Sequence, residues 1–332
     1  MPGEKKQAPS INMKHTQAVE NPFPFSDDNK RYHTWNYHLR HTFGEKVAKI
    51  PLDGGFTCPN IDGTKGTGGC TYCSGRGSGD FAGPRELDVV TQLQQGRRAM
   101  AHKWGEVKAI AYFQAFTNTY APVERLRALF EPVLSEPGVV GLSVATRPDA
   151  LPEEVVEYLA ELNARTFLTV ELGLQSVHDQ TGRRINRGHT WAEFVAGYHK
   201  LADRGIRVCV HLIDGLPGED RAMMLETARQ VAALRPYSVK IHLLHLLRGT
   251  PMAREYGAEA FSLMSMEEYV QTVCDQLELL PPETVIQRVT GDGKKEDLIG
   301  PLWSLKKFVV INEIDKELYR RGSVQGIRFG QT

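Results

Sequence analysis

Three shortages bound this sequence: it has no net charge, no long apolar run and only five cysteines. Forty basic residues balance forty acidic ones over 332 positions, so bulk electrostatics favour neither a polyanion nor a membrane surface, and a partner of either kind has to meet a local patch. No stretch approaches the roughly 18 apolar residues of a membrane span. The start, Met1-Pro2-Gly3-Glu4-Lys5-Lys6, lacks the apolar core of a secretion signal, and a cytoplasmic protein with no membrane partner is expected. In that reducing compartment an odd cysteine count with a clustered trio argues for metal binding over disulfides. Low-complexity segments are absent too. What remains is ordinary globular composition, 41% hydrophobic and 24% charged, enough for one large domain or two small ones with a sizeable core.

Three cysteines lie in Phe56 to Ser74, with eleven residues between Cys58 and Cys70 and two between Cys70 and Cys73. The glycines of this segment let the backbone fold tightly around something compact. A structural zinc site or an ordinary iron-sulfur cluster takes four closed ligands. Here a fourth is missing: no histidine occurs between Val47 and Ala101, and Cys209 and Cys274 sit in distant apolar segments as core residues. A 4Fe-4S cluster on three cysteines leaves one iron open for an outside ligand. A zinc loop with a distant fourth ligand, or three unrelated core cysteines, are the alternatives.

Residues 1–28, rich in Pro, Asn, Ser and Lys, are expected to be a flexible leader. The aromatic and basic stretch Arg31 to Phe43 suits either nucleic-acid stacking or a short helix packed under the domain; a metal site from His33, His38 and His41 is disfavoured. From Val47 onward, β-branched runs alternate with helical patterns. Strands are expected at Val47–Pro51, Val107–Phe113, Val139–Ala145, Phe167–Leu172, Ile206–Ile213 and Ser238–Leu244, with helices between them and at Ser265–Leu279. Six such units imply a parallel sheet with right-handed crossovers. The fold class is therefore α/β, a partial (β/α)6 TIM-like barrel over residues 29–280, with a C-terminal extension over 281–332 holding one more strand and a helix. Barrel enzymes place their chemistry on the loops after the strands, and the cysteine loop follows the first.

Polar residues gather at those strand ends: Gln114 to Tyr120, Thr146 to Asp149, and Glu171 to Ser176, followed by Arg183, Arg184 and Arg187. Such a rim suits a second cofactor with carboxylate, amine and ribose groups, because Arg grips a carboxylate with two bonds and Gln can bond ribose hydroxyls. Asp214 to Glu219 reads as a tight turn into a helix. The direction in which His211 points is left open by alternation alone. In the tail, Lys294, Lys295, Lys306, Lys307, Arg320, Arg321 and Arg328 form either a phosphate-binding patch or solvated surface charge.

The runs Phe56 to Phe81, Tyr112 to Pro122, Leu142 to Asp149 and Glu171 to His189 resemble the radical S-adenosylmethionine (radical SAM) superfamily. More narrowly they look like its YhcC/YtqA-type branch, which shares the long gap after Cys58. That branch is related to the radical domain of the elongator catalytic subunit and, more distantly, to oxygen-independent coproporphyrinogen dehydrogenase. The resemblance implies that Cys58, Cys70 and Cys73 hold a 4Fe-4S cluster whose open iron chelates S-adenosyl-L-methionine. An electron from an external one-electron donor would cleave the sulfonium to a 5'-deoxyadenosyl radical that abstracts hydrogen from the substrate. It further implies cofactor contacts: Gln175 to the ribose, Arg187 to the carboxylate, Glu171 as a further polar contact. Ala145 and His211 depart from the acids of relatives, so those contacts do not carry over. The elongator relationship points to tRNA, with the C5 side chain of the wobble uridine as the group acted on in an aminomethyl-uridine pathway. The chain has no room for the elongator acetyltransferase domain. A radical enzyme acting on a small metabolite and a non-catalytic, zinc-stabilised binding protein stay open.

Overall fold

A computed structural model describes residues 21–331, with 78, 80, 259, 260 and 292 left out. Of the expected leader, residues 1–20 lie outside the described residues; from 21 on the chain is packed, with Phe23 buried and the Phe25 ring stacked 4.7 Å from His33.

Seven parallel strands form one sheet in the order β1 (Val47–Leu52), β2 (Lys108–Phe113), β3 (Val139–Thr146), β4 (Phe167–Gln175), β5 (Arg207–Asp214), β6 (Ser238–Leu243) and β8 (Val285–Arg288). A short β7 (Leu246–Leu247) leaves the sheet and pairs antiparallel with β9 (Leu298–Gly300). The six expected strands appear in sequence order, and the strand of the extension pairs with β6, so the tail completes the sheet. Helices cover one face: α2 (Val89–Trp104), α3 (Val123–Leu134), α4 (Glu153–Arg165), α6 (Trp191–Ala202), α7 (Arg221–Ala233) and α9 (Met266–Leu279), with α10 (Lys307–Arg320) packed on α9; the short α5 (Asp179–Arg184) and α8 (Pro251–Gly257) lie in the segments after β4 and β7. Their starts are fixed locally. Asp88 accepts from the Val90 and Thr91 N–H groups, and Thr190 with Glu193, like Ser265 with Glu268, forms a reciprocal cap.

Strand alternation sets the two faces. In β4, Leu168, Val170, Leu172 and Leu174 are fully buried in the core between sheet and helices, while Glu171, Gly173 and Gln175 face the barrel interior. In β5 the same rule puts Val210 and Leu212 in the core and His211 inside, which answers the question alternation leaves open on one strand alone: the neighbouring apolar residues fix the phase.

The open side between β8 and β1 is covered by α1 (Trp35–Phe43). Thr34 caps that helix by accepting from Tyr37 N–H, and the Ile286 N–H of β8 donates to His33 O at 2.7 Å. The aromatic and basic stretch is therefore spent on packing: Trp35 stacks on His38, and His38 Nε2 meets the Tyr237 hydroxyl. Its packed-helix reading holds, and most of its rings are not presented to a nucleic acid.

At the end of β5, the buried Asp214 accepts from Gln276 Nε2 at 2.7 Å through one oxygen, while the other has no hydrogen-bond partner. Burial pushes this carboxyl up from 3.8 to about 7. Between those values the folded chain holds a proton that the unfolded chain has lost, so stability falls as pH rises from about 4 to 7, by up to about 4 kcal/mol. Asp214→Asn is expected to remove this slope: in urea unfolding the variant should gain on the wild type between about pH 5 and pH 8. Parallel curves for the two proteins would contradict it.

Candidate active site

A cavity of about 1170 Å³ opens at the carboxyl ends of the strands. The loop between β1 and α2 forms one wall. Turns shape it: Ile61 N–H donates to Cys58 O at 2.8 Å and Cys73 N–H to Cys70 O at 3.1 Å. Gly69, at φ 73°, takes a left-handed turn between them that favours glycine. The buried Asn60 pins this loop to the segment after β4. Its Nδ2 donates to Asn186 O and lies 3.8 Å from Cys70 Sγ, while Asn186 Nδ2 donates back to Gly69 O at 2.8 Å.

Cys58, Cys70 and Cys73 are half-buried and all three line the cavity. The Cys73 thiol beside it draws the Cys70 thiol down to about 7, burial opposing and Arg147 assisting. A tetrahedral zinc, with Zn–S of about 2.3 Å, would gather its thiolates to about 3.8 Å of one another. Among the described residues the trio gathered within 4.8 Å is instead Glu171, Cys209 and His211; Cys70 and Cys73 lie within hydrogen-bond reach of each other, and the three cysteines together do not close into so tight a trio. Thr117, which lines the cavity, has a buried Oγ1 with no hydrogen-bond partner. The residues present fit a cluster and a polar co-ligand.

The Glu171 trio is not a metal site. Glu171 Oε1 accepts from Lys49 Nζ and from Ser143 Oγ at 2.8 Å; Oε2 accepts from Lys240 Nζ and from His211 Nε2 at 2.7 Å. Burial opposes its charge, yet Lys240, Lys49 and His211 hold the carboxyl well below the usual range, and burial pushes the Cys209 thiol up to about 12. The lysines occupy the place of a cation. Glu171 lines the cavity as expected, but both of its oxygens are engaged by protein groups.

Arg187 also departs from its expected use. It is 1% exposed, and its donors reach protein acceptors throughout: Nε to His189 O, one terminal nitrogen to Leu174 O and Ser176 O, the other to His189 O and Asp179. No donor is left over to grip a carboxylate; the side chain ties the end of β4 to the segment behind it. Gln175 does face the cavity, from a backbone at φ 65°. Of the five non-glycine residues with left-handed backbone among the described residues, Ala115, Phe116, Gln175 and Asn186 stand at this site and only Arg235 lies elsewhere. Strain concentrated in this way marks a functional site.

A scan against family models matches residues 61–231 to the radical SAM superfamily and residues 236–320 to the Radical_SAM C-terminal domain. The chain belongs to the radical SAM superfamily. It is 59% identical to the uncharacterized protein YtqA of Bacillus subtilis over 92% of this chain and 95% of that one. Elongator complex protein 3 of Homo sapiens is 28% identical over 46% of this chain and 28% of its own length. In fold, this radical SAM protein resembles the archaeal Elp3 of Methanocaldococcus infernus, with a TM-score of 0.64 at 18% identity, over 84% of this chain and 64% of that one. The cofactors of the family are a 4Fe-4S cluster and S-adenosylmethionine.

Sequence reasoning missed Lys49, Tyr112, Lys240 and Asn60. For the lysines a signal existed: each interrupts an apolar strand, Val47–Leu52 and Ser238–Leu243, where an ion is rarely buried without a partner. Replacing Arg187 by Met is expected to leave the carbonyls of Leu174, Ser176 and His189 short of donors, costing about 3 kcal/mol or more in urea unfolding of the cofactor-free protein. Unchanged stability with weakened S-adenosylmethionine binding would return the arginine to its expected role.

Proposed function

We propose that this radical SAM enzyme modifies the C5 side chain of a tRNA wobble uridine, with Cys58, Cys70 and Cys73 as the cluster ligands. The observation that carries the chemistry is the set of three spaced thiols on one pinned loop, opening into a cavity ringed by strained strand ends. Cys58, Cys70 and Cys73 would hold the cluster, which with one electron supplied from outside would provide reductive cleavage of bound S-adenosylmethionine and, through it, the means to take hydrogen from the substrate.

The chain's own residues prepare that step. Asn60 aims an N–H at Cys70 and fixes the loop, and Arg147, whose cation feels Cys58 and Cys70, offsets thiolate charge. Gln175 offers its amide to a ribose. The barrel walls keep water from a reactive intermediate.

Support for tRNA comes from the resemblance to the elongator radical domain and from the cavity rim. There Phe81 and Ile61 are 52% and 41% exposed beside Arg85, an apolar and cationic edge suited to stacking an unpaired base and meeting a phosphate. The tail adds less than its sequence implies: Arg320, Arg321 and Arg328 bond to Glu317, Asp275 and Glu278.

Mass spectrometry of tRNA nucleosides from a deletion strain should show loss of a modified wobble uridine and accumulation of its precursor. An unchanged profile, with S-adenosylmethionine cleavage intact in the purified enzyme, would discard tRNA and favour a small metabolite. Colourless, zinc-containing protein from anaerobic purification would discard the radical reading itself.

A further inference from the structure

The inner end of the cavity carries more positive charge than folding requires. Lys49 and Lys240 line it, and among the described residues that line the whole cavity Glu171 is the sole carboxylate. Elsewhere on the lining Arg147 pairs with Asp149, Arg187 with Asp179 and Arg85 with Asp53. At the inner end two lysines share one glutamate. His211 does not add to the charge. Burial and then Lys240 push it down to about 4, so it donates to Glu171 as a neutral ring. His242, its ring 5.2 Å from that of His211, is also held neutral by burial, and its Nε2 is enclosed without a hydrogen-bond partner.

The donors are not exhausted. Lys240 is 6% exposed, and its hydrogen bond goes to Glu171, while Lys49 reaches Glu171 and, at 3.0 Å, Gln287. An ammonium has three N–H donors. Both ammonium groups also lie against the Tyr112 ring, at 4.4 and 4.6 Å from its centre, which confines them to one region. An excess of buried cations is costly to a fold, and an arriving anion is what lowers that cost.

We propose that the inner end of the cavity is an anion subsite, in which Lys240 and Lys49, with His242 beside them, hold a carboxylate or phosphate group of the substrate. Glu171 then acts as a positioning residue that keeps both ammonium groups aimed inward. The proposal rests on the reading of the cavity as the substrate chamber and leaves the identity of the substrate's remainder open. A group so anchored fixes the substrate's depth in the barrel and hence which of its carbon atoms meets the radical.

The test uses the reconstituted full chain saturated with S-adenosylmethionine, which occupies the open iron, and titrates it calorimetrically with acetate, inorganic phosphate and the neutral control acetamide. Saturable binding of acetate or phosphate, and none of acetamide, is expected; whichever anion binds more tightly identifies the group. Lys240→Gln should weaken that binding at least about tenfold. Lys49→Gln serves as a second variant should the first lose the cluster's absorbance, since Ser143, His211 and the remaining lysine still satisfy Glu171. No saturable binding, or binding equal in wild type and variants, overturns the subsite. Neither result touches the tRNA proposal, which the nucleoside profile decides separately.

Discussion

The structure depends on one buried ion contact made across the barrel. Glu171 stands on the central strand, and Lys49 stands on β1, three strands away in the sheet order. At about 4.8 Å between strands, a flat sheet would hold the two backbones about 14 Å apart with their side chains standing parallel, too far to meet. They meet because the sheet curls, and Lys240 on β6 meets the same carboxylate from the other side. Removing the shared carboxylate would leave two lysine charges buried without a counter-ion, a loss of about 3–5 kcal/mol. The knot therefore holds the curled sheet across its concave side, and the curvature sets the shape of the chamber.

The remaining features follow from that curl. With helices covering the outer face, each strand turns its alternate residues inward, and at the carboxyl ends those residues are polar or strained. Ala115, Phe116 and Gln175 hold left-handed backbone there. Such conformations cost on the order of 1 kcal/mol or more each and persist only where surrounding contacts enforce them. Arg187 supplies part of that enforcement through the carbonyls at the end of β4, and the paired amides of Asn60 and Asn186 clamp the cysteine loop onto the same segment. Loop and sheet are positioned by a shared set of hydrogen bonds, so the thiols and the strand ends cannot move independently.

Much of this was legible in the residues. The alternation of β-branched runs with helical patterns revealed the parallel sheet, because local periodicity and global topology agree in such a fold. The spacing of Cys58, Cys70 and Cys73 pointed to an inorganic centre because nothing else in the loop completes a closed ligand set. Side-chain partnership was harder to read. Arg187 and Glu171 both line the cavity, yet what each one bonds was not readable, and pairings such as Lys49 with Glu171, across three strands, leave no local trace. The basic tail stays open in sequence partly for the same reason: Arg321 and Arg328 meet Asp275 and Glu278 on α9, which sequence order does not bring together, although Arg320 meets Glu317 only three residues before it.

The central claim is that three thiolates of one loop support reductive cleavage of S-adenosylmethionine. The most direct measurement is 5'-deoxyadenosine formed by anaerobically reconstituted, dithionite-reduced protein, compared with the same protein carrying Cys58, Cys70 and Cys73 all replaced by Ala. The account predicts formation by the wild type alone, accompanied by an electron paramagnetic resonance signal of the reduced cluster that changes when S-adenosylmethionine is added. Equal 5'-deoxyadenosine from both proteins, or none from a wild type that carries a full cluster, would contradict it.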